Sequence, residues 1–569
     1  VTGFEVRDGR VRAVLTDRGR VACERVLLCA GVEGAALGAL AGVTVPLVAL
    51  RQTLTWSDSI ASVGEKSLPV LRHGDASLIL HQRAERVGVV TRREEPFAAE
   101  VERVFPGLRG TFRTSEPATT WSVAATTDGA ALVGESASVR GFWLCEAVPF
   151  ALAAGMAQQV VEWMVAGEPS SDLSEVDANR AYPFETAEPF VRAVATERFL
   201  RGDDIVHPLE RPSSPRDLRL PSTFDRERAL GAAFTTEAGW ERPRWYAANA
   251  PLVAGVTEPW ATREGWAARH WSPIVGGEHR ATRERVGLFD RTPIAKFDVE
   301  GTDASAFLER TFARAFDGPV GTVADVVART GRGVVLLRAT VARRGDLLFR
   351  VVTEAGSGQR DLAFLRRAVR DGEDVRITER TGSLFALGLW GPRAGEVLAA
   401  VTESDLSEEA FPPMTARYLT LGDVHPVWAH RTSPIGEPGW ELFGQFAMGQ
   451  RAWDLLMEAG RTHGIVPVGI AAFESLRIEG SVLTGDDTAT HRTVRLTLDD
   501  PRHVVMGGEP VLHGDDVVAA VADADYGYSI GRAIAVAALP VALAVPGTAV
   551  AIGFLGERFP ATVAAEPLR

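Results

Sequence analysis

Arg285-Val286-Gly287-Leu288-Phe289-Asp290, running on through Ala295-Lys296-Phe297-Asp298-Val299-Glu300-Gly301, is the stretch on which the reading of this chain turns. A new domain is expected to open just ahead of it, near Arg283. Upstream, Trp240, Trp245, Trp260, Trp266 and Trp271 fall close together. Aromatic clusters of this kind fill cores and domain interfaces, where their large apolar area is buried. Further back, the span 205–223 carries Pro208, Pro212, Pro215 and Pro221 and reads as a boundary, because proline interrupts both helices and central strands. Downstream, Tyr526-Gly527-Tyr528 and Gly547 mark turns in a β-rich end. The expected domains are 1–204, 205–282, 283–498 and 499–569.

At 569 residues, 46% hydrophobic and 24% charged, the chain is long enough for several cores. A formal net charge of -13 and the lack of any Lys/Arg-dense stretch exclude a nucleic-acid partner. Of the 61 basic residues only Lys66 and Lys296 are lysines. The three cysteines, Cys23, Cys29 and Cys145, form no C-x-x-C pair, so a reducing cytoplasm is the expected compartment. The apolar run from Ala533 to Val545 is broken by Pro540 and falls short of the ~20 residues that span a bilayer, so no membrane partner is expected.

The first thirty residues read as strands: Phe4 to Val6, an Asp8-Gly9 turn, Val11 to Thr16, a turn at Arg18-Gly19, then the apolar run Val26-Leu27-Leu28-Cys29-Ala30-Gly31. Thr127-Asp128-Gly129-Ala130 predicts a turn. A strand, a second strand at Gly141-Phe142-Trp143-Leu144 and an Ala-rich helix over 151–166 follow it. A dinucleotide is normally cradled by a G-x-G-x-x-G turn at a helix N-terminus. Gly331-Arg332-Gly333 and Gly356-Ser357-Gly358 come nearest and lack the third glycine. The chain is therefore expected to enter partway through its first domain.

The opening stretch resembles the start of the glycine-cleavage aminomethyltransferase fold. The resemblance continues in order through Gly388-Leu389-Trp390-Gly391-Pro392, Gly436-Glu437-Pro438-Gly439-Trp440-Glu441-Leu442, Ser475-Leu476-Arg477-Ile478-Glu479 and Gly556-Glu557-Arg558-Phe559-Pro560-Ala561. Upstream, Glu146-Ala147-Val148, Ile205-Val206-His207-Pro208-Leu209, Ser214-Pro215-Arg216-Asp217-Leu218-Arg219 and Gly239-Trp240-Glu241-Arg242-Pro243 resemble dimethylglycine oxidases and sarcosine dehydrogenases. The resemblance implies an α+β, multidomain protein. In it, the C-terminal part of an amino-acid-oxidase-type flavoprotein domain precedes a folate-binding aminomethyltransferase module with a C-terminal β-barrel. It also implies FAD-dependent oxidation of an N-methyl amine, with the one-carbon unit passed to tetrahydrofolate. FAD and tetrahydrofolate are the implied cofactors, and a small amine and folate the implied ligands. A separate flavin chain or a homo-oligomer is the expected assembly.

Several positions depart from the family pattern. Arg51-Gln52-Thr53 stands where relatives carry a catalytic His-Gln-Tyr, and a guanidinium with a pKa above ~12 cannot act as a base. Leu78-Ile79-Leu80 lacks an expected tyrosine, and Pro149-Phe150-Ala151-Leu152 replaces Trp-Val-Thr-His. On the folate side, Arg338 replaces the aspartate expected beside the reactive nitrogen. Pro434 replaces a tyrosine and Val482-Leu483 a Tyr-Arg pair. What the resemblance leaves for folate is Glu437 and Glu441, with Glu441 the better match. A carboxylate facing paired N–H donors suits a pterin ring. On the flavin side it leaves Asp128, Gly129 and Glu146. The alternative is a catalytically degenerate folate-binding or scaffold protein.

Other constellations carry less. His425 and His430, five apart around Pro426, cannot share a helical turn as metal ligands, so no metal is expected. Ser433, Ser475 and Ser529 lack a G-x-S-x-G elbow. Glu403, Asp405, Glu408 and Glu409 read as one solvated helix face.

Overall fold

The computed structural model describes residues 1–569 except 65, 66, 75, 93–97, 203–205, 259, 261, 481–486, 489, 566, 567 and 569, and except the side chain of 267. Lys66 and the expected Val482-Leu483 replacement lie outside the described residues. Two compact units result. One comprises Val1–Pro215 with two short later segments, the other most of the chain after Arg216.

In the first unit, Gly3–Arg7, Arg10–Thr16 and Gly19–Ala22 form an antiparallel meander. The hairpin turns at Asp8 and Gly9 with φ of 51° and 68°, the left-handed backbone that a tight Asp-Gly turn requires. The strand Val26–Leu28, in which Leu28 is buried and Leu27 exposed, then pairs in parallel with Phe142–Glu146, which pairs antiparallel with Leu132–Glu135. A second, five-stranded sheet has the order Leu71–His73, Leu78–Arg83, Arg86–Thr91, Leu47–Trp56, Thr119–Thr126. The Ala-rich segment forms the helix Ala153–Ala166, entered through a 3-10 turn at Phe150–Leu152 and ended by Gly167 at φ 83°. Gly167 supplies the left-handed C-terminal cap that a Cβ would strain.

The second unit has three parts. A six-stranded sheet runs Thr415–Leu421, Val424–Arg431, Gly439–Gln445, Leu384–Trp390, Val286–Asp290, Ile465–Val468, with only the last pair parallel. A five-stranded sheet contains Ala295–Glu300 between Leu348–Thr353 and Arg376–Glu379. The C-terminal part is a closed barrel of six strands that begins at His491–Leu498, ahead of Asp499, because Leu496 and Leu498 are fully buried in its core. Val286–Asp290 is buried along its whole length, as a central strand covered on both faces must be.

The tryptophans pack as the sequence suggests. Trp260 meets Tyr528 of the barrel edge-on at 5.3 Å, Trp271 donates its indole N–H to the Tyr528 hydroxyl at 2.8 Å, and Trp266 packs near Phe554. The acidic run 403–409 is exposed but not helical. The Asp405 carboxylate accepts the Ser407 N–H at 2.9 Å, a local bond that competes with helix formation. Among the described residues no helix is long and apolar enough to cross a membrane.

Candidate functional site

The strand Val286–Asp290 delivers Asp290 and Arg291 at its C-terminal end, where the chain turns toward Ala295–Glu300. Asp290 Oδ1 accepts the Thr292 N–H at 3.0 Å, and the Arg291 N–H is held by the Ala386 carbonyl at 2.8 Å. The Arg291 guanidinium lies 4.1 Å from the ring centre of Phe473 and donates to Glu441 Oε1 at 3.3 Å. Glu441 comes from the neighbouring strand Gly439–Gln445, opposite Gly388 on one side and His430 on the other. Burial raises the Glu441 carboxyl above its usual range, and Arg291 opposes that rise.

Further charges converge on the same place. Lys296 is wholly buried and donates Nζ–H bonds to the carbonyls of Thr292 at 2.7 Å and Ile294 at 2.9 Å. Burial, assisted by Arg350, pushes its ammonium down to about 7. Arg242, on the strand Trp240–Tyr246, pairs with Glu237. Glu227 accepts hydrogen bonds from Thr223 at 3.2 Å and Tyr246 at 3.4 Å. Burial first and the Asp290 carboxylate second raise Glu227 well above the ordinary range. His430 accepts the Trp428 indole N–H at 3.0 Å, and burial pushes its imidazole down to about 3, so it is neutral.

Of the two glutamates singled out from sequence, only Glu441 belongs to this cluster. Glu437 is salt-bridged to Arg283 at 2.7 Å, and Arg283 binds Glu479 at 2.6 Å. His279 joins the same network, with Nδ1 2.9 Å from Ser475 Oγ and Nε2 3.0 Å from both Glu479 and Ser529. The Ser475 hydroxyl donates to the Tyr526 carbonyl at 2.6 Å, so Nδ1 is the donor toward Ser475. Glu479 and Ser529 contact one and the same ring nitrogen. A catalytic triad needs carboxylate and hydroxyl on opposite nitrogens. The network ties the helices Ile274–Glu284 and Ile470–Gly480 to the barrel instead.

Arg338 lies exposed on the strand Val335–Gly345, between buried Leu337 and Ala339. Arg51 is likewise exposed, opposite Ser122 in its sheet. Asp128 forms a two-bond pair with Arg180, 2.6 and 2.9 Å, and Gly129 turns at φ 72°, where a Cβ would stand 2.5 Å from Arg198 Nε. Glu146 is buried and accepts the backbone N–H groups of Ala30 and Gly31, both at 2.7 Å. The flavin-side residues are thus each engaged within the first unit. Among the described residues no group of three or more His, Cys, Asp or Glu side chains could hold a metal.

Glu227, Arg242, Asp290, Arg291 and Lys296 were not expected from sequence. Lys296 carried the available signal, a lone lysine among arginines inside the deciding stretch.

The family model described as the GCVT N-terminal domain matches residues 223–496, which contain the whole cluster of buried charges. The glycine cleavage T-protein C-terminal barrel domain matches 491–568, and the FAD dependent oxidoreductase central domain matches 166–220. Dimethylglycine dehydrogenase, mitochondrial, of Mus musculus is 26% identical over 641 residues, covering 100% of this chain and 72% of that protein. Sarcosine dehydrogenase, mitochondrial, of Mus musculus is 26% identical over 544 residues, covering 84% of this chain and 58% of that protein. The glycine cleavage system aminomethyltransferase T of Bartonella henselae superposes with a TM-score of 0.52 at 21% identity, over 62% of this chain and 98% of that one, which shows the fold. An FAD oxidoreductase central segment, an aminomethyltransferase module and a C-terminal barrel thus follow one another in this chain, which along its whole length is similar to dimethylglycine dehydrogenase.

Proposed function

We propose that this chain serves the oxidation of an N-methyl amino acid and the transfer of the released one-carbon unit to tetrahydrofolate. The observation that carries the folate half is Glu441. It is a buried carboxylate, raised by that burial and held by Arg291, whose guanidinium lies over the Phe473 ring. Those residues fit a folate. Glu441 would accept N–H donors of a pterin ring, and Phe473 and Arg291 would flank it. Tetrahydrofolate, when bound, supplies the nitrogen that takes up the one-carbon unit. The protein's own part is to orient that nitrogen and to keep water away from it, which the burial of Glu441 and Lys296 favours.

FAD is the oxidant of the family. The first unit does not by itself fit a dinucleotide, since Glu146 already takes the Ala30 and Gly31 amides and no G-x-G-x-x-G occurs in the sequence. The oxidative half therefore rests on kinship. That kinship is with proteins named as dehydrogenases, which favours an oxidoreductase over a scaffold.

The test is calorimetric titration of the purified chain with tetrahydrofolate. Binding should be present in the wild type and weakened at least ~10-fold in Glu441→Gln, the loss of one charge-assisted bond. Equal affinity in both proteins would remove Glu441 from the reading, and no binding in either would remove the folate half.

A further inference from the structure

Among the buried side-chain atoms of the aminomethyltransferase-like unit that have no hydrogen-bond partner among the described residues, four gather around Asp290 and fall into two kinds. Arg242 Nη2 and Arg291 Nη1 are donors, while Glu227 Oε2 and Asp290 Oδ2 are acceptors. All four side chains are more than nine-tenths buried. Each is fixed along one edge and offers the other. Arg242 is held by Glu237, Arg291 by Glu441 and Phe473, Asp290 by Thr292, and Glu227 by Thr223 and Tyr246. They are also electrostatic neighbours, since Arg291 and Asp290 both act on Arg242, and Asp290 and Arg242 both act on Glu227.

Two buried guanidinium groups that repel one another, each with an unused N–H, call for an anion between them. Two buried carboxyl groups with an unused oxygen each call for a cation or a strong donor. A metal ion would be opposed by the arginines, and a phosphate by the carboxyl groups. A pterin edge offers neutral donors and acceptors and brings no full charge to either pair. A small molecule bearing both charges satisfies all four.

We propose that Arg242, Arg291, Glu227 and Asp290 form a binding site for a small zwitterion, an N-alkylated amino acid. The arginines take its carboxylate and the acids take its ammonium group. The site adjoins Glu441, so it deepens the proposed function by placing the amino-acid partner of one-carbon transfer in the folate half. It rests on that reading for its biological role, but not for the binding itself, which needs neither folate nor flavin.

The probe is sarcosine, titrated calorimetrically into the full chain, with acetate and dimethylamine as single-charge controls. Sarcosine should bind at least tenfold more tightly than either control, and both Arg242→Gln and Glu227→Gln should weaken it at least tenfold. Equal affinities for the three compounds, which needs no variant, would overturn the site. So would sarcosine binding unchanged in a variant whose melting curve shows it folded. Should a variant fail to fold, the ligand comparison on the wild type decides. Sarcosine binding lost in the variants while wild-type tetrahydrofolate binding is absent would leave this site standing and sink the folate reading. Tetrahydrofolate binding without sarcosine selectivity would do the reverse.

Discussion

The guanidinium of Arg283 meets the carboxylate of Glu479 at 2.6 Å, with the Glu479 side chain wholly shielded from solvent. Burial alone would raise that carboxyl, yet hydrogen bonds and charge from His279, Ser529 and Arg283 bring it to about 2. Glu479→Gln should destabilise the second unit by about 1–3 kcal/mol, because Arg283 keeps its bond to Glu437 and loses one of its two carboxylates. Because the folded carboxyl sits below its ordinary 4.5, its contribution is full above that value and fades as pH falls toward about 2. Urea unfolding at pH 7 and pH 3 should therefore show a large difference between wild type and variant at the first and a smaller one at the second.

Lys296 gives the opposite pH signature. Between about 7 and the ordinary 10.5 the unfolded chain holds a proton on this amine that the folded chain lacks, so stability rises with pH across that window. The slope from this one group is at most about 1.4 kcal/mol per pH unit. Replacing Lys296 with Met should flatten it. Urea midpoints measured from pH 7 to pH 9.5 should climb less steeply in the variant, and parallel curves would show that the amine is not neutral when buried.

Trp260→Ala should cost about 3–5 kcal/mol, as the loss of a large buried aromatic does. Trp260 is 2% exposed and braces both Tyr528 and the helix at Gly276, where any Cβ would stand 2.4 Å from its ring. The expected readout is a lower thermal midpoint. A loss under 1 kcal/mol would mean that the contact contributes little.

Arg338 is exposed, so Arg338→Asp should leave the thermal midpoint within about 2 °C, as surface substitutions usually do. If the family's aspartate acts at this position, the variant should transfer one-carbon units to tetrahydrofolate faster than the wild type. No gain in product formation would mean that the cation here does not limit transfer.

The fold was legible where local chemistry and tertiary structure agree. Asp8-Gly9 announces its hairpin because few other pairs accept two consecutive left-handed residues. The apolar run from Val26 announces a strand, and Val26–Leu28 forms one. The cluster of buried charges was legible only in part. Glu441 lies in a recognisable motif, but Arg242 and Glu227 come from segments some way upstream of Asp290, and no periodicity marks a buried charge. The acidic run 403–409 misled, because exposure is visible in composition whereas an Asp405 turn that ends a helix before it starts is not.

The barrel closes where Leu496–Leu498 pair with Ala561–Val563. A sheet with free borders can recruit a neighbouring chain through bare backbone amides, regardless of which side chains it bears. A sealed cylinder has no such border. Any association through this end of the protein must be written in side chains alone, where single substitutions can strengthen or abolish it without disturbing the strands beneath.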